Sequence, residues 1–205
     1  MKKFYDISLL LNENTIVYPG NPQISIEQYA FIPDASVNES KISFGVHSGT
    51  HVDSPYHIKK DGKKANQLKL ESFYGDCKVL DLTHVNLEIH KDDLLEFDLR
   101  EGNIILFKTQ NSLRGYKEFR KDFVHVKYDA ADYLVEVGIK TLGVDYLSVK
   151  KFGGDDEVHE LIITNMTLFE GLNLKEVSEG EYTFIGLPLK LEADGSPARV
   201  VLLEK

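Results

Sequence analysis

Short runs of β-branched and aromatic residues recur along the chain, separated by polar, turn-forming stretches, and each run predicts a strand. They cover residues 4–9, 24–30, 41–47, 77–82, 103–109, 141–146, 166–170, 182–191 and 199–203. The run 41–47 alternates, which predicts one buried face carrying Ile42, Phe44 and Val46. Ile104 to Phe107 and Val200 to Leu203 are apolar throughout, the pattern of central strands buried on both faces.

Helical periodicity is rarer. It appears at 130–137, where Gly138 supplies a stop signal, and at 155–164, with Asp155 or Asp156 as N-cap. A third helix is predicted over 88–97. The helix at 130–137 leads directly into the strand at 141, an order that suggests a parallel or mixed sheet. Strands outnumber helices, so the expectation is a mixed α/β fold with more than one sheet.

Composition narrows the class. The chain has 205 residues, enough for one domain over 1–205 with a sizeable core. Its 24 basic and 33 acidic residues leave a formal charge of −9, which argues against nucleic acid as a partner. No apolar run approaches the roughly 20 residues that a membrane helix needs. The opening stretch is interrupted at Asp6 and predicts no signal peptide. A single cysteine, Cys77, excludes an internal disulfide framework. These features suggest a soluble, acidic, cytoplasmic protein of α/β type.

Three of the seven histidines, His47, His51 and His57, fall within eleven residues, with Asp53 among them. All four positions are odd, so an extended chain can present them on one face. Gly49 permits a bulge or close backbone approach, and Pro55 blocks a helix. Imidazoles and a carboxylate suit zinc or another first-row divalent ion. No Gly-x-Ser-x-Gly elbow, phosphate-binding loop or dinucleotide fingerprint is present.

The string His47-Ser48-Gly49-Thr50-His51-Val52-Asp53-Ser54-Pro55-Tyr56-His57 resembles the signature of the cyclase-like metal-dependent hydrolase family, which includes bacterial kynurenine formamidases and isatin hydrolases. Tyr5-Asp6-Ile7-Ser8, Tyr18-Pro19-Gly20-Asn21-Pro22, Gly143-Val144-Asp145-Tyr146-Leu147-Ser148, Leu187-Pro188-Leu189-Lys190 and Asp194-Gly195-Ser196-Pro197-Ala198-Arg199 extend the likeness over most of the chain. The resemblance implies a three-layer β/β/α fold with a mixed sheet, swivelling β/β/α-like, and a homodimer or homotetramer. It also supplies two distal ligands, His159 and Glu170, at an interval of eleven residues, one shorter than the family's usual spacing.

On this resemblance His47, His51, Asp53 and Glu170 hold one metal, and Asp53, His159 and Glu170 a second. That makes two zinc ions per chain, with manganese the alternative. His57 stays off the metals as general acid/base, and Tyr18 takes the loop position where kynurenine-specific relatives carry Trp. The implied activity is hydrolysis of a small amide, with N-formylkynurenine as candidate substrate. Alternatives are cleavage of a cyclic amide or lactone such as isatin, a non-catalytic metal- or small-molecule-binding protein, and a structural zinc site. Asp6, Asp145, Ser148 and Asp194 read as structural or supporting residues. The lysines of 59–64 read as a solvated loop, with attraction of an anionic substrate as the alternative.

Overall fold

The computed structural model describes residues 2–205. In chain order it contains β1 (Phe4–Asp6), β2 (Ser25–Ala30), β3 (Glu39–Ser43), β4 (His51–Asp53), β5 (Tyr74–Asp81), β6 (Glu88–Ile89) and β7 (Ile104–Lys108). Then follow α1 (Gln110–Arg114), β8 (His125–Val126), α2 (Tyr128–Val137), β9 (Thr141–Val144), α3 (Glu157–Asn165), β10 (Thr167–Glu170), β11 (Gly180–Pro188) and β12 (Gly195–Glu204).

The main sheet runs β1-β12-β11-β5-β7-β9-β10-β4, and β4 pairs back onto β12. Seven strands therefore close into a barrel-like ring, with β1 pairing alongside β4 on the same edge of β12. Strands β5, β7, β9 and β10 are mutually parallel, while β11, β12 and β4 join antiparallel. The mixed α/β class and the plurality of sheets are as expected; ring closure was not anticipated.

The apolar run of β7 explains why the core has two parts. Ile104 and Leu106 pack inside the ring with Val79, Phe169, Phe184, Val200 and Leu202. Ile105 and Phe107 point the other way, against Ala130, Ala131 and Leu134 of α2 and Ile162 and Ile163 of α3. This strand is buried on both faces, as its sequence predicts. β12 departs from that expectation: Val200 and Leu202 are buried, but Val201 and Leu203 are only half-buried because no helix covers that face.

Two other expectations need correction. The alternating run 41–47 ends as a strand at Ser43, and Ile42 is 55% exposed. β2 and β3 pair only with each other as a ribbon apart from the ring, so no core receives that face. No helix forms over 88–97. The Asp93 carboxylate accepts from the His90 N–H at 2.7 Å, and this local bond holds a single 3₁₀ turn at Lys91–Leu94 instead. Helix α2 does stop at Gly138, whose φ of +80° suits a residue without Cβ.

Candidate metal centre

Strand β4 closes the ring between β10 and β12, and its register builds the site. It is three residues long, yet the even spacing of His51 and Asp53 puts both on one face. Across the ladder Glu170 lies opposite His51, and Gly195 lies opposite Asp53. Directly opposed residues are about 5 Å apart at Cβ, so pairing alone brings Glu170 to His51. His47 arrives from the loop before β4, and His57 ends the 3₁₀ turn Pro55–His57. His159 comes from the first turn of α3.

A close backbone approach orients His51. Gly171 follows Glu170 at φ +69°, and a Cβ there would lie 2.2 Å from the Gly49 carbonyl oxygen. That same carbonyl accepts from His51 Nδ1–H at 3.0 Å. With Nδ1 donating, Nε2 presents its lone pair.

The resulting cluster is short of donors. Asp53 Oδ2 is 2.8 Å from His159 Nε2, and Oδ1 is 2.8 Å from His47 Nδ1. Burial opposes ionisation of Asp53, but the bonds from His159 and His47 outweigh it and hold the carboxyl well below its usual range. The Glu170 carboxylate has one hydrogen bond among the described residues, from the Val149 N–H at 2.7 Å. Burial, and then the nearby Asp53 charge, push its carboxyl well above the usual range. His51 Nε2 is buried without a hydrogen-bond partner, 3.2 Å from Asp53 Oδ1 and 3.6 Å from Glu170 Oε2.

A divalent cation fits this set. Ligand atoms of His51, Asp53 and Glu170 lie within 4.8 Å of one another, as do those of His47, Asp53 and His57. One positive ion would satisfy the orphaned nitrogen and relieve the repulsion between two buried carboxylates together.

The cluster floors a cavity of about 520 Å³, lined by His47, Asp53, His57, His159, Glu170 and Tyr18 among others. The structure thus brings together every residue expected of the site; His51 itself does not line the cavity, but its Nε2 adjoins Asp53 and Glu170, which do. Tyr18 is fixed by Phe119, edge-on at 5.3 Å, and by Phe152 at 5.7 Å. His57 lies at the open side, where burial lowers its imidazole below the ordinary value.

Sequence reasoning gives Asp194 a structural or supporting place without its partners, and it misses Lys150 and the cavity position of Asp156. The Asp194 carboxylate lies 2.7 Å from His47 Nε2 and 3.4 Å from His57 Nδ1, so it is part of the cluster's hydrogen bonding. Its place next to Gly195 and opposite β4 is the signal, legible only once β12 is paired. Lys150 and Asp156 line the same cavity. Asp156 does stand at the N-cap of α3, but its side chain makes no capping bond and pairs with Lys150 instead. Lys59 and Lys64 pair with Glu160 and Glu192, so the cavity's lysine comes from outside that run.

Fold and cluster together define a candidate centre for a divalent ion on a closed mixed sheet. Residues 5–151 match the model of the Cyclase family ("Putative cyclase"), and the chain belongs to that family. A kynurenine formamidase of Bacillus cereus is 35% identical over 98% of this chain and 97% of its own length. A solved structure of a potential metal-dependent hydrolase with cyclase activity superposes with a TM-score of 0.90 at 36% identity, covering 100% of this chain and 99% of that one. Isatin hydrolase A from Ralstonia solanacearum shares the fold alone, with a TM-score of 0.86 at 22% identity over 100% and 92% of the two chains. No helix among the described residues is long and apolar enough to cross a membrane.

Proposed function

We propose that this protein hydrolyses a small aryl amide of the N-formylkynurenine type, releasing formate and the aryl amine. The observation that carries the reading is the unpartnered His51 Nε2 beside Asp53 and Glu170, two buried carboxylates that line an open cavity. His47, His51, Asp53 and Glu170 would hold one divalent ion, and Asp53, His159 and Glu170 a second. We take the ions as zinc, two per chain, with manganese the alternative. Such ions lower the pKa of water toward neutrality and polarise a carbonyl.

The chain's own groups do the rest. His57, neutral at ordinary pH, accepts the proton of the attacking water and passes it to the leaving amide nitrogen, which departs poorly as an anion. Asp194 at Nδ1 sets the ring and leaves Nε2 for that proton. Tyr18, held by Phe119 and Phe152, offers its ring to the aryl group.

The same reading takes residues 1–205 as one cytoplasmic domain, with the two faces of the closed sheet and the helices as the family's three β/β/α layers. It makes the chain a homodimer or homotetramer. Support comes from the β2–β3 ribbon, which stands off the ring and exposes Ile26, Tyr29 and Ile42. Ile42→Lys should shift a sedimentation profile toward monomer.

The deciding experiment is metal content by plasma mass spectrometry with N-formylkynurenine and isatin turnover on the same sample. About two divalent ions per chain with formamide turnover supports the reading. Isatin turnover alone moves the substrate to cyclic amides. Metal without any turnover points to a binding protein, and no metal after supplying zinc and manganese sinks the mechanism.

A further inference from the structure

The cavity carries a charge pair that amide hydrolysis does not itself require. Lys150 and Asp156 line it together with Tyr18 and the histidine cluster. Lys150 Nζ donates to the Asp156 carboxylate and, at 3.2 Å, to the Gly154 carbonyl. An ammonium has three N–H donors. The third has no acceptor among the described residues. The lysine side chain is 18% exposed and the aspartate 68%, so the cation lies along the wall and the anion nearer the mouth.

The pair stands within electrostatic reach of both ends of the cavity. Lys150 acts on Tyr18 and on Glu170, and Asp156 feels the charges of His57 and His159. Asp156 makes no capping bond, so its carboxylate is committed to Lys150 rather than to α3. As a stability device an ion pair this accessible is worth little. As a receptor it presents one positive and one negative group side by side, the complement of a zwitterion. A zwitterionic ligand can exchange partners with the pair and leave no charge unmatched, which a neutral ligand cannot do.

We infer that Lys150 and Asp156 form the subsite for an α-amino-acid end of the substrate, Lys150 taking its carboxylate and Asp156 its ammonium. The aryl body then lies toward Tyr18 and the scissile amide toward His57 and Asp53. This inference rests on the amidase reading and deepens it by assigning specificity-determining residues.

The test compares two ligands that differ only in that end: L-kynurenine, and 2-aminoacetophenone, the same aryl ketone without the amino-acid tail. Each is titrated calorimetrically into the full chain supplied with zinc. The wild type should bind L-kynurenine at least about tenfold more tightly. Lys150→Met should remove most of that preference, Lys150→Arg should restore part of it, and Asp156→Asn should lose a smaller share. In turnover, the ratio of kcat/KM for N-formylkynurenine over 2-formamidoacetophenone should fall about tenfold in Lys150→Met, chiefly through KM.

Equal binding of the two ligands by the wild type overturns the inference. So does a preference that survives Lys150→Met in a variant melting at the wild-type temperature. Should Lys150→Met fail to fold, the wild-type ligand pair and Asp156→Asn decide. Turnover of neither formamide sinks the amidase reading, while the binding preference still decides the subsite.

Discussion

Two buried carboxylates on neighbouring strands of the ring have opposite fates. Asp145, just past β9, accepts from the Thr109 N–H and hydroxyl, both at 2.7 Å, from the Ser112 N–H at 3.1 Å and from Asn111 Nδ2 at 3.4 Å. Burial raises its carboxyl, and those bonds from Thr109 and Ser112 oppose the rise. Glu170, at the end of β10, receives one backbone N–H and faces a second carboxylate and an orphaned imidazole nitrogen. The difference separates architecture from receptor. A buried acid saturated by protein donors has nothing left to bind, whereas one left short has capacity for a cation.

That contrast can be broken most sharply at the reacting end. His57→Ala should cut kcat by roughly 10²–10⁴-fold with metal content unchanged. Asp53→Asn should lose turnover and metal together, read by the same assay and plasma mass spectrometry. Retained turnover in His57→Ala would remove its acid/base role.

Next comes stability. Asp145→Ala leaves several buried donors unpaired and should cost at least about 3 kcal/mol in urea unfolding. Glu170→Gln removes a buried like charge and should change metal-free stability by less than about 1 kcal/mol, in either direction. Equal losses at the two positions would erase the distinction.

Ligand linkage gives a smaller shift. Zinc at 100 times its Kd should stabilise the wild type by about 2.7 kcal/mol, reversed by chelator and absent in Asp53→Asn. Thermal melts with and without zinc check this.

A separate prediction concerns pH. Burial disfavours protonated His47, but Asp53 and Asp194 outweigh burial and hold its imidazole up at about 9. The unfolded value is near ~6.5. A raised histidine stabilises the fold fully below the unfolded value and loses that contribution as pH climbs through the folded one. The Tm of the metal-free protein should therefore fall between about pH 6.5 and 9, and His47→Gln should flatten the decline.

The part of the site legible in the sequence was the part encoded locally. Even spacing placed His51 and Asp53 together, and that held on a strand of only three residues. His47 and His57 reach the same point through a loop and a 3₁₀ turn, not along a continuous strand. His159 and Glu170 were reached through family resemblance alone. The eleven-residue interval between them runs through α3, which ends at Asn165, and β10, which begins at Thr167, with Met166 alone between. The alternating run at 41–47 misled because alternation reports a face suited to burial, not whether a partner is there to bury it.

By itself the sequence determined the periodic elements, the two-sided burial of β7, the glycine stop of α2 and the His-Asp string, because each is set by neighbours a few residues away. Only the tertiary structure decided the ring closure through β4, the opposition of Glu170 to His51, the reach of Asp194 to two histidines and the meeting of the Lys150–Asp156 pair with His47 and Asp53 in one cavity. Strand register and ring closure bring together residues more than a hundred positions apart, and no local periodicity carries that information.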